Sequence, residues 1–184
     1  MSRKALWIIL AGLGAGACLL LCVAGVMVAR LAGVFDFAAA TDKLQQVGHA
    51  APDFQVTGLS GERVALSDYA GQPVLLSFSA TWCPDCQKEA PLLRDLQAIH
   101  PDVMVIAVDI QEPAETVAAY AQAHSLTYFV GLDEEGTLME QYHIKAIPTL
   151  LFIDREGVIR SRLVGIDGTL AELEEHLEAI QERR

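Results

Sequence analysis

Apolar residues follow three distinct rhythms along this chain of 184 residues. Residues 5–29 carry no charged or strongly polar side chain. Beyond them, short apolar runs alternate with stretches in which apolar positions recur at helical spacing. Short strands are predicted at residues 54–56 and 63–66, around the turn Gly58-Leu59-Ser60-Gly61. Ser67-Asp68 can cap a brief helical turn, and Gly71-Gln72-Pro73 resets the chain before the apolar run 74–79. A helix follows from near Pro84, with Ala90, Leu92, Leu93, Leu96 and Ile99 at helical spacing. Pro91 inside it implies a kink or a re-registered turn. Residues 103–108 form a continuous apolar run, the mark of a strand covered on both faces. Residues 113–124 and 136–142 read as helices, and 126–130 as the strand between them. Residues 150–153 and 158–164 flank Asp154-Arg155-Glu156-Gly157, a hairpin turn signal. An amphipathic, Glu-rich helix over 169–180 closes the pattern. Strands alternating with helices, then a terminal hairpin and helix, predict an α/β fold with helices on both faces of a mixed sheet.

The first rhythm has a different meaning. Residues 5–29 would cover ~37 Å as a helix, enough to cross a ~30 Å hydrocarbon core with some tilt. The rival is a cleavable signal peptide, whose apolar core runs to only about 7–15 residues. The expected organisation is an N-terminal membrane anchor at 1–30, a linker at 31–47 and a folded domain at 48–184. Arg3 and Lys4 precede the apolar segment, while Arg30 is followed by Asp36 and Asp42. That bias favours a cytoplasmic N-terminus with the bulk of the chain outside. Three of the 13 basic residues lie at or before Arg30, which leaves ten beside 24 acids in the remainder. A domain that acidic argues against nucleic acid as a partner.

Four cysteines divide into two unlike pairs. Cys18 and Cys22, at i and i+4 in the apolar segment, read as small packing residues. Cys83 and Cys86 lie in Trp82-Cys83-Pro84-Asp85-Cys86, where an apolar strand meets a helix start. A helix N-terminus favours a thiolate, and the thiolate is the nucleophile. The spacing puts the second sulfur one turn inward, within closing distance of the first. The five histidines are scattered and no pair has ligand spacing, so no metal site is expected. No nucleotide- or flavin-binding motif is present in the sequence.

Gly48-His49-Ala50-Ala51-Pro52-Asp53-Phe54, residues 66–76, residues 79–91 and residues 146–154 together resemble the thioredoxin superfamily. Within it they are most similar to the membrane-anchored TlpA/ResA-type thiol–disulfide oxidoreductases. The resemblance runs from about Val47 onward, with its four motifs in the expected order. It implies a thioredoxin-like fold with an N-terminal hairpin and a central αβ insertion near 113–130. It also implies a Cys83–Cys86 dithiol/disulfide cycle, with Cys83 at an exposed helix end forming the mixed disulfide and Cys86 resolving it. A bridge closing so short a gap constrains little of the unfolded chain, so an inert structural disulfide is a poor alternative.

The resemblance assigns further roles. Glu89 would act beside Cys86 as a proton acceptor, taking the place of the buried acid that cytosolic thioredoxins carry where this chain has Ser77. Pro148 would be a cis-proline facing the active site, and Ile147, Pro148, Pro84 and Trp82 would contact an extended client segment. Trp82 is either a wall of that groove or a packing residue. Asp85, between the cysteines, disfavours the Cys83 thiolate and so leans the centre towards a reductant. Ser79 stands where many relatives carry a second tryptophan, and Thr149 where the dedicated cytochrome c maturation proteins usually have glutamate.

The implied function is a membrane-tethered, extracytoplasmic protein-disulfide reductase of the bacterial inner membrane. Its clients would be disulfide-bearing proteins, with apocytochrome c and metal-site assembly factors as candidates. Electrons would come from a membrane thiol transporter, and the redox-active Cys83–Cys86 disulfide would serve without any added cofactor. The alternatives are a dithiol oxidant and a non-enzymatic copper-binding assembly protein. A peroxiredoxin-type peroxidase is disfavoured, because Ala80-Thr81-Trp82-Cys83 lacks the Thr-x-x-Cys spacing of that group.

Overall fold

The apolar run Val74–Ser79 forms the strand around which the rest is arranged. A computed structural model describes residues 47–181. The strands are Gln55–Gly58 (β1), Arg63–Ala65 (β2), Val74–Ser79 (β3), Met104–Ile110 (β4), Phe129–Asp133 (β5), Thr149–Ile153 (β6) and Ile159–Val164 (β7). The helices are Pro84–Ile99 (α1), Ala114–Ala123 (α2), Thr137–Gln141 (α3) and Leu170–Gln181 (α4). One seven-stranded sheet runs β2-β1-β5-β4-β3-β6-β7. Strands β3, β4 and β5 are parallel, whereas β6 and β7 continue antiparallel on one side and β1 and β2 on the other. This is the thioredoxin-like mixed sheet that the resemblance implied, with its N-terminal hairpin and its inserted αβ unit.

Period-two alternation sorts the strand residues between two cores. Leu75, Val105, Ala107, Leu150 and Phe152 pack under Leu93 and Leu96 of α1, Val117 of α2, and Leu173 and Leu177 of α4. Leu76, Phe78, Ile106, Val108 and Leu151 face the other way, against Leu138 of α3, Tyr142 and Phe54. Helices therefore cover both faces, and every residue of β6 is buried.

Three local features differ from the sequence pattern or sharpen it. First, α1 runs unbroken from Pro84 to Ile99 across Pro91. Second, β5 begins at Phe129, later than the apolar run 126–130 suggests. Its position is set by pairing with β4 and β1, which brings Gly58 opposite Gly131. A Cβ on Gly131 would come within 2.7 Å of the Val56 side chain, so only glycine allows that approach. Third, the hairpin turn is organised by Asp154, whose side chain is fully buried. Its Oδ1 accepts the Glu156 N–H at 3.0 Å and the Val158 N–H at 2.9 Å, and its Oδ2 pairs with the Arg160 guanidinium. Gly157 closes the turn at φ +76°, in the left-handed region. Asp154→Ala should therefore cost on the order of 2–4 kcal/mol, read as a lower urea midpoint at unchanged m. A loss below about 0.5 kcal/mol would show that the turn holds without the carboxylate.

The predicted anchor at 1–30, the linker up to residue 46, and Cys18 and Cys22 lie outside the described residues. Among the described residues, no helix is long and apolar enough to cross a membrane.

Candidate active site

Strand β3 ends at Ser79, and the short loop Ala80-Thr81-Trp82 delivers Cys83 to the start of α1. Cys83 is the N-cap: its backbone is extended, its Sγ accepts the Cys86 N–H at 3.2 Å, and Pro84 occupies the first helical position. Proline suits that position because its missing N–H has no helical partner to lose. The two cysteines form a disulfide with their Cα atoms 5.2 Å apart, inside the usual range. An N–H aimed at the first sulfur would stabilise its thiolate once the bridge opens.

The resemblance implied Cys83 at an exposed helix end, and the structure corrects this. Cys83 is only 4% exposed and Cys86 5%, while Trp82, Pro84 and Asp85 around them are exposed, Trp82 at 65%. The first sulfur is covered because it caps the helix and because the loop before β6 crosses over it. In that loop the Ile147–Pro148 peptide bond is cis, the conformation expected of it, and the Ile147 carbonyl oxygen lies 3.8 Å from Cys83 Sγ. Ile147 is half-buried and Pro148 buried. The loop is fixed by the Thr149 hydroxyl donating to the Ala146 carbonyl at 2.8 Å and by the Gly165 N–H donating to the Pro148 carbonyl at 2.8 Å. Ile147 thus lies against Cys83, which exposed Trp82 and Pro84 flank in the chain.

Glu89 shares the buried face of α1 with Cys86, Ala90, Leu93 and Leu96, and is 1% exposed. The Ser77 hydroxyl donates to its Oε1 at 2.6 Å. Burial pushes its carboxyl up to about 8, opposed only by that hydrogen bond. Glu89 can therefore hold or release a proton near neutral pH, next to the inner sulfur. Such burial is not that of a solvated glutamate in an early helical turn.

Asp85 is roughly half-exposed and forms an ion pair with Lys88 at 2.7 Å. Its charge is thus screened by water and by a cation, which reduces its leverage on Cys83.

Several polar groups escaped the sequence reading. Ser77, noted only as standing in the place of a buried acid, proves to be the hydrogen-bond partner of Glu89. Glu112 reaches back to the cysteine loop, accepting the Thr81 N–H and the Thr81 hydroxyl at 2.6 Å each. Gln87 donates to the Thr81 carbonyl at 2.7 Å, so Thr81 is held from both sides. Asp109, at the end of β4 opposite Ser79, is 5% exposed. Burial, then the neighbouring carboxyl of Glu112, pushes it up to about 8. The only signal for Asp109 was a charge closing an otherwise apolar strand. Among the described residues, no group of three or more His, Cys, Asp or Glu is arranged to hold a metal ion.

Comparison with known proteins places the same residues in context. The AhpC/TSA family model matches residues 47–162. The thiol-disulfide oxidoreductase ResA of Geobacillus kaustophilus is 35% identical over 137 residues, covering 73% of this chain and 78% of that protein. Among solved structures, a candidate thiol:disulfide interchange protein DsbE from Chlorobium tepidum aligns with a TM-score of 0.69. Its identity is 30%, and the alignment covers 73% of this chain and 98% of that one. StoA of Bacillus subtilis aligns with a TM-score of 0.60 at 30% identity, covering 68% of this chain and 96% of that one.

Proposed function

Because the chain belongs to the AhpC/TSA family, and within it to the ResA-type thiol–disulfide oxidoreductases, we propose that it works as a membrane-tethered, extracytoplasmic reductase of client-protein disulfides. The observation that carries this reading is the buried Cys83–Cys86 disulfide with Ile147 above one sulfur and Glu89 behind the other. In the reduced enzyme the Cys83 thiolate attacks a client disulfide, and one client sulfur leaves with the electron pair and takes up a proton. Cys86 gives its proton to Glu89 and attacks Cys83, releasing the second client thiol and re-forming the Cys83–Cys86 bond. A second dithiol must then reduce the enzyme, and a membrane thiol transporter is the proposed donor. Residues 5–29 are the proposed anchor in a bacterial inner membrane, with the folded domain outside the cytoplasm. Apocytochrome c and metal-site assembly factors are the candidate clients.

Direction is tested by the reduction potential of the full-length protein, equilibrated with defined thiol/disulfide ratios. A value near the roughly −270 mV of thioredoxin is expected, and one near the roughly −120 mV of a strong oxidant overturns the assignment. Asp85→His in the same assay should make the centre less reducing, since removing a negative charge stabilises the Cys83 thiolate and with it the reduced state. Exposure and Lys88 keep the expected shift below about 30 mV, the equivalent of one pKa unit. No change at all would remove Asp85 from the account.

A further inference from the structure

Behind the disulfide lies a narrow cavity of about 20 Å³, lined by Cys86 and Glu89 of α1, Ser79 and Asp109 at the ends of β3 and β4, Tyr120 of α2, and Tyr128. It has room for about one water. Strand periodicity explains the polar lining: Ser79 falls on the face opposite Leu76 and Phe78, and Asp109 follows Val105 and Ala107 on that same face. Asp109 is the anomaly. It is 5% exposed, and its Oδ1 has no hydrogen-bond partner. A buried carboxyl oxygen without a partner costs stability, and the positions on either side of it in β4, Val108 and Ile110, are apolar. Asp109 also meets Glu112, whose two oxygens are bound to half-exposed Thr81, next to exposed Trp82.

Glu89 has a complementary problem. At 1% exposure it has no direct contact with solvent, and one of its oxygens is occupied by Ser77. It must be emptied of its proton before it can take one from Cys86, and emptied again before the next turnover. We propose that Asp109 is the relay residue through which Glu89 exchanges protons with solvent, by way of one water in the cavity and outward through Glu112 to the mouth at Thr81. This rests on the assignment of Glu89 as proton acceptor.

The step balances as follows. Cys86–SH transfers its proton to the Glu89 carboxylate as its sulfur bonds to Cys83, and the electron pair of the Cys83–client bond leaves on the client sulfur. The Glu89 proton passes through the water to the Asp109 carboxylate, then by Glu112 to solvent. Re-reduction by a donor dithiol runs the same path inward. The titratable groups facing Asp109 are Cys86 and Glu89 from α1, Glu112 beyond β4, Tyr120 from α2, and Tyr128.

The test is steady-state turnover of the full-length protein with dithiothreitol as donor and a disulfide-bonded peptide as client, across pH 6–9 in H₂O and D₂O. Asp109→Asn should slow turnover about tenfold at pH 7 and raise the solvent isotope effect, a modest loss beside the 10²–10⁴-fold that direct proton transfer contributes. Asp109→Glu should restore most of the rate. Glu89→Gln should slow turnover at least as much as Asp109→Asn. If Glu89→Gln is slow while Asp109→Asn keeps the native rate and isotope effect, the relay is wrong and the role of Glu89 stands. If neither variant is slow, the assignment of Glu89 falls and the relay falls with it. Should Asp109→Asn fail to fold, Glu112→Gln cuts the same route at its outer end while keeping an acceptor for the Thr81 N–H. A native rate and isotope effect in that variant overturns the path.

Discussion

Replacing Cys86 with serine should abolish turnover and leave the protein covalently joined to its client through Cys83. The two sulfurs have unequal surroundings. Cys83 Sγ receives the Cys86 N–H at 3.2 Å at the helix start and lies near the Ile147 carbonyl, with exposed Trp82 and Pro84 on either side of it in the chain. Cys86 sits one turn inward, with Glu89 and the cavity behind it. Helix-end N–H groups stabilise a thiolate, so Cys83 is the attacking group, and Cys86 is placed to strike only Cys83. A serine at position 86 keeps the backbone N–H that caps Cys83 but cannot form the second bond. Mixed disulfides should then accumulate on a non-reducing gel, with no multiple turnover above background. Cys83→Ser should give neither adduct nor turnover. Adducts on Cys83→Ser in place of Cys86→Ser would reverse the two roles. Stability should change little in either variant, because the lost bridge closes only a short loop.

The second large effect concerns pH. Glu89 and Asp109 are each pushed up to about 8 by burial, against ordinary values near 4. Between those limits the folded protein holds protons that the unfolded chain has released. Stability is therefore fully present below about pH 4 for these groups and is lost as pH rises towards 8. This is opposite to the usual behaviour of a salt-bridged carboxylate. On the order of a few kcal/mol is at stake for Glu89 alone. Glu89→Gln keeps an acceptor for the Ser77 hydroxyl and removes the titration. The variant should be more stable than the native protein at pH 8, with a flatter dependence of the urea midpoint between pH 5 and 8. A native-like slope in Glu89→Gln would show that its carboxyl is already charged in the fold.

Much of this was readable from residues alone because the signals were local. Cys-x-x-Cys at a strand–helix junction, proline in the first helical turn, and a turn sequence of Asp154 to Gly157 each carry their geometry within a few positions. Glu89 was also legible, since helical spacing puts it on the face of Cys86. What escaped was set by pairing across the sheet. Ser79 and Asp109 become neighbours only through the β3–β4 register, and Glu112 meets Thr81 across 31 residues of chain. The start of β5 was misplaced for the same reason: its limits follow from contact with β4 and β1, including the close approach at Gly131, rather than from its own apolar residues. Exposure of Cys83 was misread because the loop that covers it arrives from residue 147.

That cover has a consequence for partner choice. Displacement at a disulfide sulfur requires the entering and departing atoms to lie on one line, so access decides rate as much as thiolate character does. With Cys83 only 4% exposed and Ile147 overhead, most directions of approach are closed. A disulfide held on a rigid, convex surface should therefore react more slowly than one carried on a flexible segment. An unfolded segment can lay its backbone along the Ile147 edge and bring its sulfur in along the open line. On this geometry, the rate with a given partner should depend on the flexibility of the segment that carries its disulfide before it depends on any side chain.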